Sequence, residues 1–272
     1  MPQESAQNQN AHYMLYHNPF SICSIMVRFT IALAKLPKSV DDTIIIEETI
    51  TDIYREEQLS EDFLLRVNPK GQVPALTSSS LPVPLTDSLD ITYYLCDIYS
   101  HLTPQPHCNT IVQLLKQLHQ IQYLSLSFNP QQQRAKGISI AIEKLLERSD
   151  ISKEYRQALE YKADYHERTL VHALEKEAII KAEQQAWDFF QEILSLRLKY
   201  GQGSLWIYGD AVGPTALDAH TVVFIARLFD AKREDLMTGD IREYGQHVMA
   251  ESKWKDIMNG RPTLHSLWVE GA

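Results

Sequence analysis

Cysteine is scarce. Cys23, Cys96 and Cys108 are the only three, an odd number that closes no disulfide framework and shows no zinc-type spacing. A reducing compartment is expected. Positive charge is also short: 26 Lys and Arg face 35 Asp and Glu, for a net charge of -9. That balance opposes the clustered cations that nucleic acid or an anionic membrane surface requires. No apolar run approaches the ~20 residues of a membrane-spanning helix. The first eleven residues, MPQESAQNQNA, have neither the basic nor the apolar stretch of a secretory leader. A disordered tail over 1–11 and a cytoplasmic location are expected. Glycine is thin, with ten residues in 272, and no Gly-rich phosphate loop occurs; Gly201-Gln-Gly203 is too short. The histidines lack the spacing of a metal site, and no metal is expected.

What is present suits one large domain or two small ones, with an ordinary apolar share of 44%. Tyr13 to Tyr16 reads as a short strand closed by Asn18-Pro19. Ile22, Ile25, Met26, Phe29 and Leu33 then recur at helical spacing. Ile44-Ile45-Ile46 reads as a fully buried parallel strand. Val73–Thr77 and Leu81–Leu85 read as a hairpin around three serines. Thr86, Asp87 and Ser88 offer cap oxygens to a second helix with Ile91, Tyr94, Leu95 and Ile98 inside. Ser100–Asn109, with Pro104 and Pro106, is the expected linker. Beyond it the pattern is helical, interrupted at 129–133 and then resuming over Ile138–Glu147 and Tyr155–Tyr200. The charged stretch from Lys153 to Lys181 reads as a solvated helix face. The expected organisation is an α/β domain over 12–100 and an all-helical domain over 109–272.

Three segments are specific. Asn68-Pro-Lys-Gly-Gln-Val-Pro-Ala-Leu76, with Leu85-Thr-Asp-Ser-Leu-Asp-Ile-Thr-Tyr-Tyr-Leu95 after it, resembles the glutathione-binding half of the glutathione transferase superfamily. Ser21-Ile-Cys-Ser-Ile-Met-Val-Arg28 is similar to the zeta-class serine motif. Trp206-Ile-Tyr-Gly-Asp-Ala-Val-Gly-Pro-Thr-Ala-Leu-Asp218 resembles the start of that family's buried sixth helix. The resemblance implies a thioredoxin-like N-terminal domain that binds glutathione, an all-α C-terminal domain for the second substrate, and a homodimer. It further implies a cis bond at Val73-Pro74 and pairing of the Val73 backbone with the cysteinyl unit of glutathione. Asp87 and Ser88 would hold the γ-glutamyl unit, since a helix N-terminus attracts carboxylates. Gln72 would lie beside the tripeptide, and Lys70 would either meet its glycyl carboxylate or sit in solvent.

The family's chemistry needs a glutathione thiolate. Lowering a thiol from its reference pKa of about 8.5 by one to two units takes about 1.4 to 2.7 kcal/mol. One hydrogen bond to a charged group supplies about 1.5–3 kcal/mol, so a single hydroxyl at a helix N-terminus suffices. Alignment with the zeta motif puts Ser21 at the catalytic serine; Ile22 stands where the motif has a second serine. Tyr16, at the end of the first strand, is the other candidate, because several classes use a tyrosine there. Cys23 falls on the zeta cysteine, as a helix-start residue or as a partner for a mixed disulfide with glutathione. Thr215 and Asp218 read as a structural capping box, and Arg28 as a helix or interdomain ion pair.

Residues 130–181 exceed the length of most soluble members of the family. Leu118, Tyr123, Leu126 and Phe128, just before them, are candidates for the acceptor pocket or the core. A zeta-like serine together with such an insertion resembles fungal transferases of secondary metabolism. The implied activity is addition of the glutathione thiolate to an electrophilic conjugated substrate. Two other readings stay open: glutathione-dependent double-bond isomerisation by addition, rotation and elimination, and a non-catalytic interaction module.

Overall fold

A computed structural model describes residues 11–34, 44–128 and 134–268. The expected tail lies outside these apart from Ala11, which opens strand β1 (Ala11–His17). The expected interruption at 129–133 also lies outside them. Helix α1 (Ile22–Leu33) follows β1, and its apolar stripe is buried throughout: Ile25, Met26 and Phe29 are fully enclosed. Strand β2 (Ile44–Ile50) pairs parallel to β1, and β3 (Ala75–Thr77) pairs antiparallel on its other side. The sheet order is therefore β2-β1-β3.

Two expectations about strands need correction. Residues 44–46 do not form a strand covered on both faces, because β2 is the sheet edge and Ile45 is exposed while Ile44 and Ile46 pack inward. The hairpin after β3 reduces to one bridge, Leu76 to Leu85. Pro82 and Pro84 flank Val83 there, and each removes a ladder donor. Helix α2 (Ser88–Ile98) then returns beneath the sheet, with Ile91 and Leu95 fully buried.

The rest of the chain is helical: α3 (Cys108–His119), α4 (Tyr123–Ser127), α5 (Arg134–Leu146), α6 (Lys153–Thr169), α7 (Lys176–Tyr200), α8 (Ala216–Asp230), α9 (Gly239–Met249) and α10 (Ser252–Met258). Tyr155–Tyr200 is thus not one helix. It breaks over 170–175, where the Ser125 hydroxyl donates to the Ala173 carbonyl at 2.5 Å in a buried contact. A tertiary hydrogen bond takes that carbonyl where no Gly or Pro marks the break.

Helix α8 is the axis of the molecule, buried at every position from Ala216 to Leu228. The Thr215–Asp218 capping box starts it. Asp218 accepts from the Thr215 amide and hydroxyl, the Ile207 amide and the Tyr244 hydroxyl, at 2.7 to 2.9 Å. One apolar core runs without interruption from the sheet through α1 to α8. Arg28 joins the two halves as well, through Glu48 at 2.9 Å and the Ile257 carbonyl at 2.9 Å.

The α5–α6 pair makes a separate attachment. Ala141, Ile142, Tyr155 and Leu159 pack on Leu59 and Leu64 of the α/β half as a small second core. The Tyr155 hydroxyl donates to the Leu59 carbonyl at 2.6 Å, and Ser152 pairs with Glu61. These contacts carry α6 across to the loop before β3. No described helix is long and apolar enough to cross a membrane.

Candidate active site

The turn between β1 and α1 is fixed by Asn18. Its side chain accepts from the Phe20 amide and donates to the Thr51 carbonyl, each at 3.0 Å, while its own amide donates to Ser24 Oγ at 3.2 Å. Ser21 is thereby held at the N-cap of α1, where its Oγ accepts from the Ser24 amide at 3.4 Å and donates to the Val73 carbonyl at 3.4 Å. Both are at the long limit of a hydrogen bond. The hydroxyl is therefore weakly held and free to turn toward a better acceptor. No acidic residue stands in the first turn of α1, so the positive end of its dipole is not neutralised.

The loop before β3 is organised by Asn68, which is fully buried. Its amide donates to the Gln72 carbonyl at 2.8 Å, and its Oδ1 accepts from the Lys70 amide at 2.9 Å. Gly71 has φ of +55°, and a Cβ there would meet the Gln58 carbonyl and Lys162 Cε at 3.1 Å. Only glycine fits that backbone without strain. The Val73–Pro74 bond that follows is cis. Asp87 caps α2 through the Leu89 amide at 2.8 Å, and Ser88, nearly buried, is the first helical residue.

These segments enclose a cavity of about 300 Å³. Ser21, Gln72, Val73, Pro74, Asp87 and Ser88 all line it, a set drawn from three stretches far apart in sequence. Tyr16 and Lys70 do not. Tyr16 packs edge-on to Phe63 at 6.0 Å, among Val67, Val73 and Ala75. The Lys70 ammonium lies over the Tyr165 ring, 6.0 Å from its centre. Of the expected acceptor residues, Tyr123 and Phe128 reach the cavity, whereas Leu118 and Leu126 belong to the core.

Cys23 also lines the cavity. Burial pushes its thiol up to about 11, so it stays protonated at neutral pH and is a poor thiolate nucleophile. The Tyr123 phenol, raised well above its usual range by burial, keeps its proton and donates it to the Leu118 carbonyl at 3.0 Å. Arg227 of α8, 4% exposed, donates to the Phe20 carbonyl at 2.8 Å and to the Thr263 carbonyl at 2.7 Å. It anchors the residue just before Ser21 to the helical half.

Lys162, His166 and Gln58 line the cavity and were not expected there. The sequence held a signal for the first two. Tyr155, Leu159, Lys162 and His166 are the buried positions of α6, spaced 4, 3 and 4, so a lysine and a histidine sit on an inward stripe. The solvated-face reading fails for Lys162, although it holds for Asp164 and Arg168, which pair in solvent at 2.8 Å. Tyr165 donates to Gln72 Oε1 at 3.2 Å and ties α6 to the loop before β3. Among the described residues no cluster of His, Cys, Asp and Glu could hold a metal ion.

Residues 20–98 match the family model described as glutathione S-transferase, N-terminal domain. No curated protein sequence matches the chain. Solved structures match along almost the whole length. Glutathione transferase F2 from Populus trichocarpa is 19% identical, covering 91% of this chain and 97% of its own, with a TM-score of 0.55. A glutathione transferase family member from Pseudomonas fluorescens pf-5, with two glutathione bound, is 15% identical over 94% and 95% of the two chains, with a TM-score of 0.55. A bacterial zeta-class maleyl pyruvate isomerase is 17% identical over 90% and 95%, with a TM-score of 0.54. The chain has the glutathione transferase fold: a thioredoxin-like domain followed by an all-helical one.

Proposed function

We propose that the chain is a glutathione transferase in which Ser21 stabilises the glutathione thiolate for addition to an electrophilic, conjugated small molecule. The observation that carries this reading is the convergence of Ser21, Gln72, Val73, Pro74, Asp87 and Ser88 on one cavity. An interaction module has no need of that convergence, because an interface draws on surface complementarity rather than on an enclosed polar site.

Glutathione supplies the nucleophilic sulfur; the protein orients it and keeps it anionic. The α2 N-terminus with Ser88 receives the γ-glutamyl carboxylate, and Asp87 faces the ammonium of the same unit. The Val73 backbone pairs with the cysteinyl unit. The Ser21 hydroxyl, now donating to the Val73 carbonyl at 3.4 Å, turns its proton to the sulfur, and the open dipole of α1 adds to the effect. Tyr123 and Phe128 contribute the apolar wall for the acceptor. The acceptor is assigned to secondary metabolism on the sequence resemblance, and the same reading implies a cytoplasmic homodimer.

Titration calorimetry with glutathione tests the binding step, with heat at millimolar ligand expected. Mass analysis of products with a panel of conjugated electrophiles tests the chemistry. A stable thioether adduct supports the transferase. Return of unchanged glutathione with an isomerised acceptor supports the second reading, which the likeness to a zeta-class isomerase favours.

A further inference from the structure

A buried ammonium with no counter-charge is costly unless something pairs with it. Lys162 is 2% exposed. Among the described residues no carboxylate lies within ion-pair distance of it, and its ammonium lies over the Tyr165 ring, 5.8 Å from the ring centre. Burial alone pulls its pKa down to about 8. The side chain passes beside Gly71, whose missing Cβ leaves room for it, and it lines the cavity. Gln58 stands at the same end, 3% exposed, and its backbone carbonyl flanks the same Gly71. Its Oε1 is buried with no hydrogen-bond partner. One end of the cavity therefore holds an unpaired cation and an unpaired acceptor, both nine-tenths buried or more.

A peptide C-terminus complements this pair: its carboxylate meets a cation, and its last N–H meets an acceptor. We propose that Lys162 and Gln58 form a clamp for the glycyl end of glutathione, so that the α5–α6 insertion completes the tripeptide site from the helical domain. The inference rests on the glutathione reading given above. Its geometry follows from strand pairing. Leu85 pairs antiparallel with Leu76, which sets Asp87 beside Pro74, on the γ-glutamyl side. An extended peptide whose cysteinyl unit pairs antiparallel with Val73 then runs its next residue toward Gln72 and Gly71. That next residue is glycine, with the free carboxylate. Tyr165, by holding Gln72 Oε1, keeps α6 in register with the same stretch. Lys70, whose ammonium lies 6.0 Å from the centre of the Tyr165 ring, does not line the cavity.

The test compares glutathione with its glycyl ethyl ester by calorimetry on the wild-type protein and on Lys162→Met, Lys162→Arg and Gln58→Leu. Wild type should bind the ester about 10- to 100-fold more weakly than glutathione, the range set by one charge-assisted hydrogen bond. Lys162→Met should lose that preference by weakening glutathione alone, and Lys162→Arg should restore part of it. Gln58→Leu should weaken both ligands, because the ester keeps the N–H. Thermal unfolding gives the independent readout. Replacing an unpaired buried ammonium by methionine should hold or raise the melting temperature, whereas a lysine kept for structure would lower it. Equal loss of both ligands in Lys162→Met, or a lowered melting temperature with the preference intact, overturns the clamp while leaving the glutathione reading in place. Absence of glutathione binding by the wild type overturns both.

Discussion

A hydroxyl is a modest catalyst, and its value lies in where its proton points. Ser21 Oγ has two hydrogen bonds at 3.4 Å, so exchanging one of them for a thiolate loses little, and the new bond to an anion is the stronger. Ser21→Ala should raise the pKa of bound glutathione by about one to two units, since each unit corresponds to about 1.4 kcal/mol. Turnover near neutral pH should fall about 10- to 100-fold with KM for glutathione little changed, because the clamped ends of the tripeptide are untouched. Ultraviolet absorbance of the thiolate across a pH series checks the first part, and steady-state kinetics the second. Tyr16→Phe should leave both readings within about twofold of wild type, since its ring packs on Phe63 and does not line the cavity. A Tyr16→Phe profile matching that of Ser21→Ala would reverse the assignment. The sequence could propose both residues because each ends a local motif. What separates them is tertiary: Ser21 lines the cavity, whereas Tyr16 packs among Phe63, Val67 and Ala75.

Elements differ in how far their neighbours determine them. Helix α8 is marked in the sequence by its own cap, and the Thr215–Asp218 box forms as its spacing requires. Asp218→Ala would leave four buried donors without an acceptor. At about 1–3 kcal/mol for each unsatisfied group, partly relieved by water, a loss of about 3–5 kcal/mol is expected in urea unfolding. A loss below 1 kcal/mol would mean that the box is dispensable. Helix α6 is the opposite case. Its charge pattern reads as solvent-facing, and only the docking of Leu159 and Tyr155 on Leu59 and Leu64 turns Lys162 inward. The thioredoxin-like half was legible because strand alternation, proline and caps are local signals. The α6 wall of the cavity was not, because a tertiary contact between residues about 100 apart decides it. Leu159→Ala should cost about 2–5 kcal/mol in the small core it belongs to. Since that core is separate from the main one, the loss should appear as faster amide exchange in α5–α6 and weaker glutathione binding. The main unfolding transition should shift less. Uniformly faster exchange throughout the chain would contradict this division.

Across the whole molecule, the two halves are joined by a chain of neutral histidines whose proton positions follow from their partners. Thr92 of α2 donates its hydroxyl proton to the Ser88 carbonyl at 2.8 Å, so it accepts from His220 Nε2–H at 2.9 Å. His220 Nδ1 is then the acceptor for His119 Nε2–H at 2.8 Å. A proton added to His220 would go on Nδ1, facing another donor, and the chain linking α2, α8 and α3 would break. Burial depresses both imidazoles of the chain, His119 to about 4 and His220 well below its usual value; apart from the chain, burial together with Arg28 and Arg261 lowers His17 to about 4. In the unfolded chain each titrates near its reference value of about 6.5. Between that pH and about 4 the unfolded state therefore binds more protons than the folded one, so stability rises with pH through this window and is lost as pH falls. Each such proton contributes up to about 1.4 kcal/mol per pH unit. Urea unfolding at pH 7.5, 6.0 and 5.0 should show a plateau and then a fall, above the range where most carboxylates titrate. His119→Gln should flatten the lower limb, since it removes one titrating group while keeping a side chain that donates to His220 Nδ1. A stability that holds level or increases from pH 7.5 to 5.0 would mean that these imidazoles accept protons as readily in the folded protein as in water, and the neutral chain would have to be abandoned.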